Sequence, residues 1–225
     1  MKTASVIQSN YIPWFGYFSM INDSELFMLY EDVQYTKNDW RNRNKIFTNG
    51  KYSWLTIPVR QQNLNQRFNE IDVIDCKWAT KHFEFMRHTF AKEKNWKIYA
   101  EELNNLYNLA SELEKLYEIN RLFFQWIISK LNIKTKIIYI EKYTDYDNPT
   151  KRLLSILSEN NVTSYISGPA AKGYLKEEDF SEAGIKLNYY DYSNCITNYK
   201  LNNCEYLNSS IIQLMIKGDF HGFDN

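Results

Sequence analysis

ASVIQSNYIPWFGYFSMINDSELFMLYEDVQY, residues 4–35, is the stretch that determines the fold class. Residues 4–8 form a short apolar run that predicts a buried strand. Pro13 and Gly16 mark a turn into a helix, and a second apolar run follows at residues 26–30. A strand, a tight loop, a helix and another strand within roughly thirty residues predict a βαβ unit with parallel strands.

The rest of the chain continues this alternation of strand and helix patterns. Further strands are predicted at residues 53–59, 71–74, 137–140, 164–168 and 186–192, and helices at residues 78–99, 100–117, 118–131, 149–160 and 209–216. The helices between residues 78 and 131 predict a helical layer inserted in the middle of the chain. The predicted fold class is α/β: a mostly parallel, Rossmann-like sheet with helices on both faces, in a single domain over residues 1–225.

The composition limits the classes of function. Lys plus Arg and Asp plus Glu number 27 each, and this zero net charge argues against a dedicated nucleic-acid-binding protein. The N-terminus lacks the apolar run of a signal peptide, and no apolar run reaches the roughly 18 residues of a membrane-spanning helix. The three cysteines form no CxxC motif and are typical of reduced thiols. We therefore expect a cytoplasmic protein without membrane insertion.

Polar and aromatic side chains follow the first predicted strand. They are Gln8, Asn10, Tyr11 and Trp14. Ligands of doubly wound α/β proteins bind at the carboxyl ends of the strands, so these residues are predicted to bind substrate. The GxGxxG pattern of dinucleotide-binding proteins is absent, and a helix entry with core aromatics is the alternative interpretation.

A second polar cluster follows the second predicted strand. Its members are Asp32, Gln34, Tyr35, Lys37, Trp40, Arg41, Asn42 and Arg43. Guanidinium groups bind pairs of phosphate oxygens, so Arg41 and Arg43 are suited to a diphosphate. Trp40 is suited to stacking on a base or a sugar ring. The alternative interpretation of residues 36–51 is a solvated loop, in which Asn49 and Gly50 form a turn.

Two further places are candidates for chemistry. Ser167 and Gly168 lie at a predicted strand-to-helix turn whose amides could hold a phosphate, with Lys172 one turn further on. An ordinary turn is the alternative. His82 is a candidate general base, and a structural histidine is the alternative. His82 and His88 lie six residues apart and do not share a helix face, so no metal site is predicted.

These motifs resemble those of the WbqC-like family, which is named for a protein of bacterial O-antigen gene clusters. The similar blocks, in the family's order, are IQSNYIPWFGYF (7–18), EDVQYTKNDWRNRNKI (31–46), WLTIPV (54–59), the pair Trp78 and His82, SGPAAKGYL (167–175) and SSIIQLMIKG (209–218). The resemblance implies a cytosolic enzyme of surface polysaccharide or lipopolysaccharide biosynthesis. It does not define the reaction.

Four positions depart from the pattern that the resemblance leads us to expect. Ser9 and Cys195 each replace a proline, Gln213 replaces an aspartate, and Lys217 replaces an asparagine. These departures argue against a catalytic role for the C-terminal block. They also argue against Cys195 as a nucleophile.

Three functions follow as hypotheses. The first is a transferase that acylates, or aminoacylates, the amine of a nucleotide-linked amino sugar, with coenzyme A or a carrier protein as the acyl donor. The diphosphate would be held by Lys37, Arg41 and Arg43, and a base or sugar ring would stack on Trp14 or Trp40. Backbone amides near Gly168 would support the oxyanion or a donor phosphate. His82 or Asp32 would take the proton from the attacking amine. The second is nucleotidyl transfer or adenylation, and the third is a non-catalytic module that binds a nucleotide sugar or a partner enzyme. The sequence assigns no cofactor and no oligomeric state.

Overall fold

A computed structural model describes residues 2–141, 148–201 and 203–223. The strands are β1 (Thr3–Ile7), β2 (Leu26–Tyr30), β3 (Arg43–Thr48), β4 (Lys51–Thr56), β5 (Val59–Arg60), β6 (Asp72–Val73), β7 (Lys136–Ile140), β8 (Ser164–Ser167) and β9 (Lys186–Tyr189). The α-helices are α1 (Phe15–Asn22), α2 (Lys77–Phe90), α3 (Trp96–Ser111), α4 (Leu116–Lys130), α5 (Pro149–Glu159), α6 (Glu177–Glu182), α7 (Tyr192–Asn198) and α8 (Ile211–Lys217). Short 3₁₀ helices cover Phe68–Glu70 and Pro169–Gly173.

The central sheet has five strands in the order β7-β2-β1-β8-β9, and each neighbouring pair is parallel. The chain runs outward from β1 through β2 to β7 and then returns to the other side of β1 with β8 and β9. The strand order therefore reverses between β1 and β8, as it does at the ligand-binding crevice of doubly wound folds. The prediction of a Rossmann-like α/β fold is confirmed, and the single domain stays a prediction.

Strand β2 shows why the sheet is covered on both faces. Phe27 and Leu29 belong to the larger core cluster, which includes side chains of α1, α2, α3, α4 and α8. Leu26 and Met28 belong to the second cluster, together with side chains of α5 and α6. Successive side chains of a strand point to opposite faces, so a continuous apolar run is what a doubly covered parallel strand requires. Helices α2–α4 form the predicted middle layer.

The β3–β4 hairpin corrects the interpretation of residues 36–51 as a loop. Asn49 and Gly50 have positive φ angles of 51° and 73°, which suit the tight turn between the strands. Residues 53–59 do not form one strand, because Pro58 separates β4 from β5. The outer face of β3 is polar, and this polarity hid the strand pattern in the sequence.

The helical layer also differs from the prediction in its boundaries. The predicted helix at 78–99 ends at Phe90, and α3 begins at Trp96. Between them, Asn95 donates from its backbone nitrogen to Ile216 O (2.9 Å) and from Nδ2 to Met215 O (3.0 Å). These bonds tie the break to α8.

No helix within residues 2–141, 148–201 and 203–223 is both long and apolar enough to cross a membrane.

Helix α8 seats the hairpin against the rest of the protein. Gln213 is fully buried, and its amide accepts from Phe47 N (2.9 Å) and donates to Phe47 O (2.7 Å). Just before and at the helix start, Ser210 N donates to Lys45 O (3.0 Å) and Ile211 N donates to Pro13 O (2.9 Å). The C-terminal block therefore has a structural role here.

Candidate functional site

A groove of about 310 Å³ lies between the loop that follows β1 and the β3–β4 hairpin. We call it the tryptophan groove. The residues that line it are Asn10, Pro13, Trp14, Trp40, Asn44, Lys45 and Asn208. The groove thus combines two indole rings, three side-chain amides and one lysine, which are groups that bind rings, hydroxyls and phosphates.

The loop on one side of the groove is held in a strained conformation. Ile12 has a φ of 39°, and the left-handed region is unfavourable for a β-branched residue. Asn44 holds this turn, because its Nδ2 donates to Tyr11 O (3.2 Å) and to Ile12 O (2.7 Å). Tyr11 N also donates to Trp40 O (3.0 Å). The loop is therefore fixed to the hairpin segment before any ligand binds.

Trp14 connects the groove with the point where the strand order reverses. Its ring centre lies 5.1 Å from that of Tyr192, which follows β9. A β-carbon on Gly168, which follows β8, would lie 3.9 Å from the Tyr192 hydroxyl. On the β1 side, the Tyr17 hydroxyl donates to Gln8 O (3.1 Å). The predicted residues Gln8 and Gly168 thus follow neighbouring strands, and Tyr192 connects Gly168 with Trp14.

Aromatic and cationic side chains cover the outer face of the hairpin. Arg43, Lys45 and Phe47 alternate along β3, opposite Thr56, Trp54 and Tyr52 of β4. The guanidinium carbon of Arg43 lies 4.5 Å from the Trp54 ring centre, and Lys45 Nζ lies 4.1 Å from that of Tyr52. The Trp40 and Trp54 rings are 5.5 Å apart and are 43% and 49% exposed. We call this surface the hairpin face.

Several residues of the groove and the hairpin face were missed by sequence reasoning. They are Asn44, Lys45, Tyr52, Trp54 and Asn208. The alternation from Arg43 to Phe47 before an Asn-Gly turn is a hairpin signal that could have found the β3 and β4 members. Nothing local to the sequence pairs Asn208 with the first loop.

Arg41 does not reach the groove. It is 3% exposed, and its Nη1 lies 2.7 Å from the Asp39 carboxylate. Burial lowers the pKa of the Arg41 guanidinium, and the Asp39 charge opposes that shift. The Arg41 carbonyl accepts from Asn120 Nδ2 (2.8 Å). Arg41 is thus an internal ion-pair partner, and this environment does not suit the predicted contact with a diphosphate.

The neighbours of Arg41 are divided between the interior and the surface. Tyr35 and Asn42 are buried, and Asn42 Nδ2 donates to Ile57 O (2.9 Å). Burial raises the pKa of Tyr35. Lys37 is exposed, but it is not among the residues that line the groove. Of this cluster, Trp40 lines the groove, and Arg43 lies on the hairpin face.

His82 is enclosed by aromatic side chains. It is 6% exposed, and its ring centre lies 5.3 to 6.3 Å from those of Tyr11, Trp78 and Tyr107. The Tyr11 hydroxyl lies 2.9 Å from both His82 Nδ1 and the Tyr107 hydroxyl. Burial lowers the pKa of His82 to about 4, opposed by a hydrogen bond to the Thr56 backbone. A neutral, buried imidazole that is hydrogen-bonded to Tyr11 favours a structural role over the predicted catalytic one, and Tyr11 shares that role.

Asp32 and Gln34 lie beyond the carboxyl end of β2, away from the groove-lining residues. The buried Asp32 carboxylate forms an ion pair with Arg67. The Asp32 carbonyl accepts from Arg152 Nη1 (3.3 Å), and Gln34 Nε2 donates to Leu64 O (2.7 Å). These contacts tie β2 to the segment before β6 and to α5. The structure therefore does not bring Asp32 to the same place as His82 or Trp14.

The turn after β8 carries the last predicted group. Ser167 is buried at the strand end, where its hydroxyl lies 3.5 Å from that of Tyr165. Pro169 begins a 3₁₀ helix, and Lys172 extends over the ring of Tyr189 at 5.2 Å. Lys172 is thus directed along the edge strand β9 rather than into the groove.

Comparisons with known proteins cover nearly the whole chain. The model of the WbqC-like protein family matches residues 8–219. The uncharacterized protein Rv1507c of Mycobacterium tuberculosis is 35% identical over 193 residues, which are 85% of this chain and 83% of the relative. No solved structure matches. All the groove-lining residues lie within the part that matches the family.

Proposed function

The chain belongs to the WbqC-like protein family, and we propose that its tryptophan groove binds a nucleotide-linked amino sugar. We further propose that the protein transfers an acyl group to the amine of that sugar. The reaction would serve the synthesis of surface polysaccharide in the cytoplasm. Coenzyme A or a carrier protein would supply the acyl group as a thioester.

One observation carries the binding proposal: Lys45, the exposed ring of Trp40 and the side-chain amides of three asparagines line the same groove. Trp40 is 43% exposed, although a large aromatic ring is usually covered in a folded protein. Exposed indole faces stack on bases and sugar rings. A lysine is a point charge for phosphate, and the amides of Asn10 and Asn208 are hydrogen-bonding groups for sugar hydroxyls.

The position of the groove in the fold supports the same proposal. It adjoins the carboxyl ends of β1 and β8, between which the strand order reverses. In open α/β sheets this place binds ligands irrespective of the chemistry that they undergo. The glycine at position 168 keeps the backbone accessible there.

The proposed transfer is simple in its bond changes. The sugar amine attacks the thioester carbon, a C–N bond forms, the C–S bond breaks, and the amine proton leaves with the thiol. Of the groove-lining residues that the structure describes, none is His, Asp or Glu. The proposal therefore gives this chain's residues the task of binding and aligning the amine, which by itself lowers the barrier.

Binding and turnover can be tested separately. We expect UDP- or dTDP-linked amino sugars to raise the melting temperature, because a ligand of the native state stabilises it by mass action. Mass spectrometry with acyl-coenzyme A or acyl-carrier protein would detect the N-acyl product. Trp40→Ala should lower the affinity, and Tyr174→Ala, which removes an exposed ring outside the groove, should not. If no nucleotide sugar binds to the folded protein, the proposal is wrong.

Nucleotide-sugar binding without turnover is the second candidate function. It is favoured by the absence of His, Asp and Glu from the described lining of the groove. Binding of nucleotide sugars with no product from any donor would support it. The same panel includes ATP and CTP with magnesium, because binding of these alone would favour an adenylating or nucleotidyl-transfer reaction.

A further inference from the structure

We infer that the nucleotide half of the ligand lies on the hairpin face and that its sugar half lies in the tryptophan groove, at Trp14 and Asn10. The inference rests on the proposed function and gives the bound ligand a direction. The base would lie farthest from the sheet, the diphosphate at the boundary of the two surfaces, and the sugar amine beside the strand ends.

The hairpin face provides a platform for a planar base. Trp40 and Trp54 have ring centres 5.5 Å apart, and both residues are exposed. Stacking on exposed aromatic rings stabilises a bound base and depends little on which base is bound. Because the β3 and β4 side chains of this face are Arg, Lys, Phe, Tyr, Trp and Thr, with no amides, we expect weak discrimination between bases.

The cations lie where the diphosphate would follow the base. Arg43 lies against Trp54 at 4.5 Å, and Lys45 is both on the hairpin face and in the lining of the groove. Lys45 Nζ is 4.1 Å from the Tyr52 ring centre and 5.7 Å from that of Trp40. In the described residues neither cation forms an ion pair with a carboxylate. Arg43 Nη2 donates to the carbonyl of Asn38, and a phosphate would bind to Arg43 and Lys45 without breaking an ion pair.

Asn10 and Trp14 are uncharged members of the groove lining and suit the sugar. The Trp14 ring packs against Gly16, and its centre lies 5.1 Å from that of Tyr192. Through Tyr192, Trp14 is connected with Gly168 and with the reversal of strand order, where an acyl donor can approach at the carboxyl ends of the strands. The reverse direction would place the sugar amine on the exposed hairpin face, far from these strand ends.

Truncating the ligand distinguishes the two directions. Affinities for UDP and for a UDP-linked amino sugar are measured by calorimetry on the full chain. Trp54→Ala should lower the affinities for both ligands by the same factor, about tenfold, because both contain the stacked base. Asn10→Ala should instead lower the affinity for the UDP-linked amino sugar toward that for UDP, because only the former contains the sugar. Lys45→Met should lower the affinities for both ligands and reduce the salt dependence of binding. Tyr174→Ala is the control.

The outcomes separate this inference from the function on which it rests. If the nucleotide sugar binds but Trp54→Ala leaves UDP affinity unchanged, the direction is wrong and the proposed function stands. If Asn10→Ala weakens UDP and the sugar equally, the direction is also wrong. If neither UDP nor any nucleotide sugar binds, both proposals are wrong. Far-ultraviolet circular dichroism and thermal unfolding show that each variant is folded.

Discussion

The indole of Trp14 occupies the space into which a side chain at position 16 would extend. A β-carbon on Gly16 would lie 2.3 Å from Cζ2 and 2.5 Å from Cη2 of Trp14. Real side chains do not approach so closely, so the absence of a side chain at position 16 determines where the Trp14 ring lies in the groove.

Gly16→Ala should therefore reduce the affinity for the ligand more than it reduces the stability of the fold. The methyl group displaces the indole, and we expect about a tenfold loss of nucleotide-sugar affinity, comparable to loss of a stacking ring. The free energy of unfolding should change by less than about 1 kcal/mol. The reason is that the higher helix propensity of alanine over glycine in α1 offsets the cost of displacing the ring. Calorimetry and urea unfolding measure the two effects.

Gly173→Ala is the matched control for that variant. A β-carbon there would meet nothing within 4 Å, so affinity should be unchanged. If Gly16→Ala alters tryptophan fluorescence but leaves affinity intact, Trp14 does not contact the ligand.

His82 should make the protein less stable as the pH falls. Its folded-state pKa is about 4, whereas the ordinary value is 6.5, so only the unfolded chain takes up a proton between these values. The stability of wild type relative to His82→Gln should decrease by up to roughly 3 kcal/mol between pH 6.5 and pH 4. Urea unfolding at both pH values measures this difference. A folded His82→Gln protein that binds substrate but has lost all turnover would instead support the catalytic role.

Glu31 should act in the opposite direction. The side chain is buried beside Arg121, and burial raises its pKa from 4.5 to about 7 although Arg121 opposes the shift. Between these values the folded state holds a proton that the unfolded state has lost, so stability decreases as the pH rises. Wild type should lose up to roughly 3 kcal/mol relative to Glu31→Gln from pH 4.5 to 7, with no further change above pH 7.

The control for Glu31→Gln is Glu178→Gln, at an exposed position of α6. Equal pH dependence for the two variants would contradict the assignment of the effect to Glu31.

Gln213→Met should destabilise the protein by about 2–4 kcal/mol. The change leaves the partly buried N–H and C=O of Phe47 without their partners, and each unsatisfied group costs about 1–3 kcal/mol. Gln62→Met, at an exposed glutamine, is the control and should have little effect. A drop in the urea midpoint of less than a tenth of the wild-type value would contradict this role of Gln213.

The sheet could be predicted from the sequence because its strands are short apolar runs between turn residues. Leu26–Tyr30 has the same bounds in the prediction and in the structure, since a doubly covered strand needs no alternation. Strand β3 could not be found that way. Its buried face carries Asn44, a polar residue, and its outer face carries Arg43 and Lys45.

The candidate site was predictable where it depends on position along the chain. Asn10, Trp14 and Trp40 line the groove, and the first two follow β1 directly. Lys45 was missed because its place depends on cross-strand pairing. The enclosure of His82 by aromatic rings depends on long-range packing, which helical spacing does not reveal.

The contact between Gln213 and Phe47 spans 166 positions of the chain. Asn208, which lines the groove together with Asn10, also comes late in the chain. On the ribosome, a nascent chain can form the hairpin long before α8 has been synthesised, but its β3 edge then lacks the Gln213 amide and the groove lacks one wall. Contacts of such separation are slow to form. The proposed ligand binding therefore requires residues 208–217, and a nascent chain without them should present the aromatic hairpin without the groove.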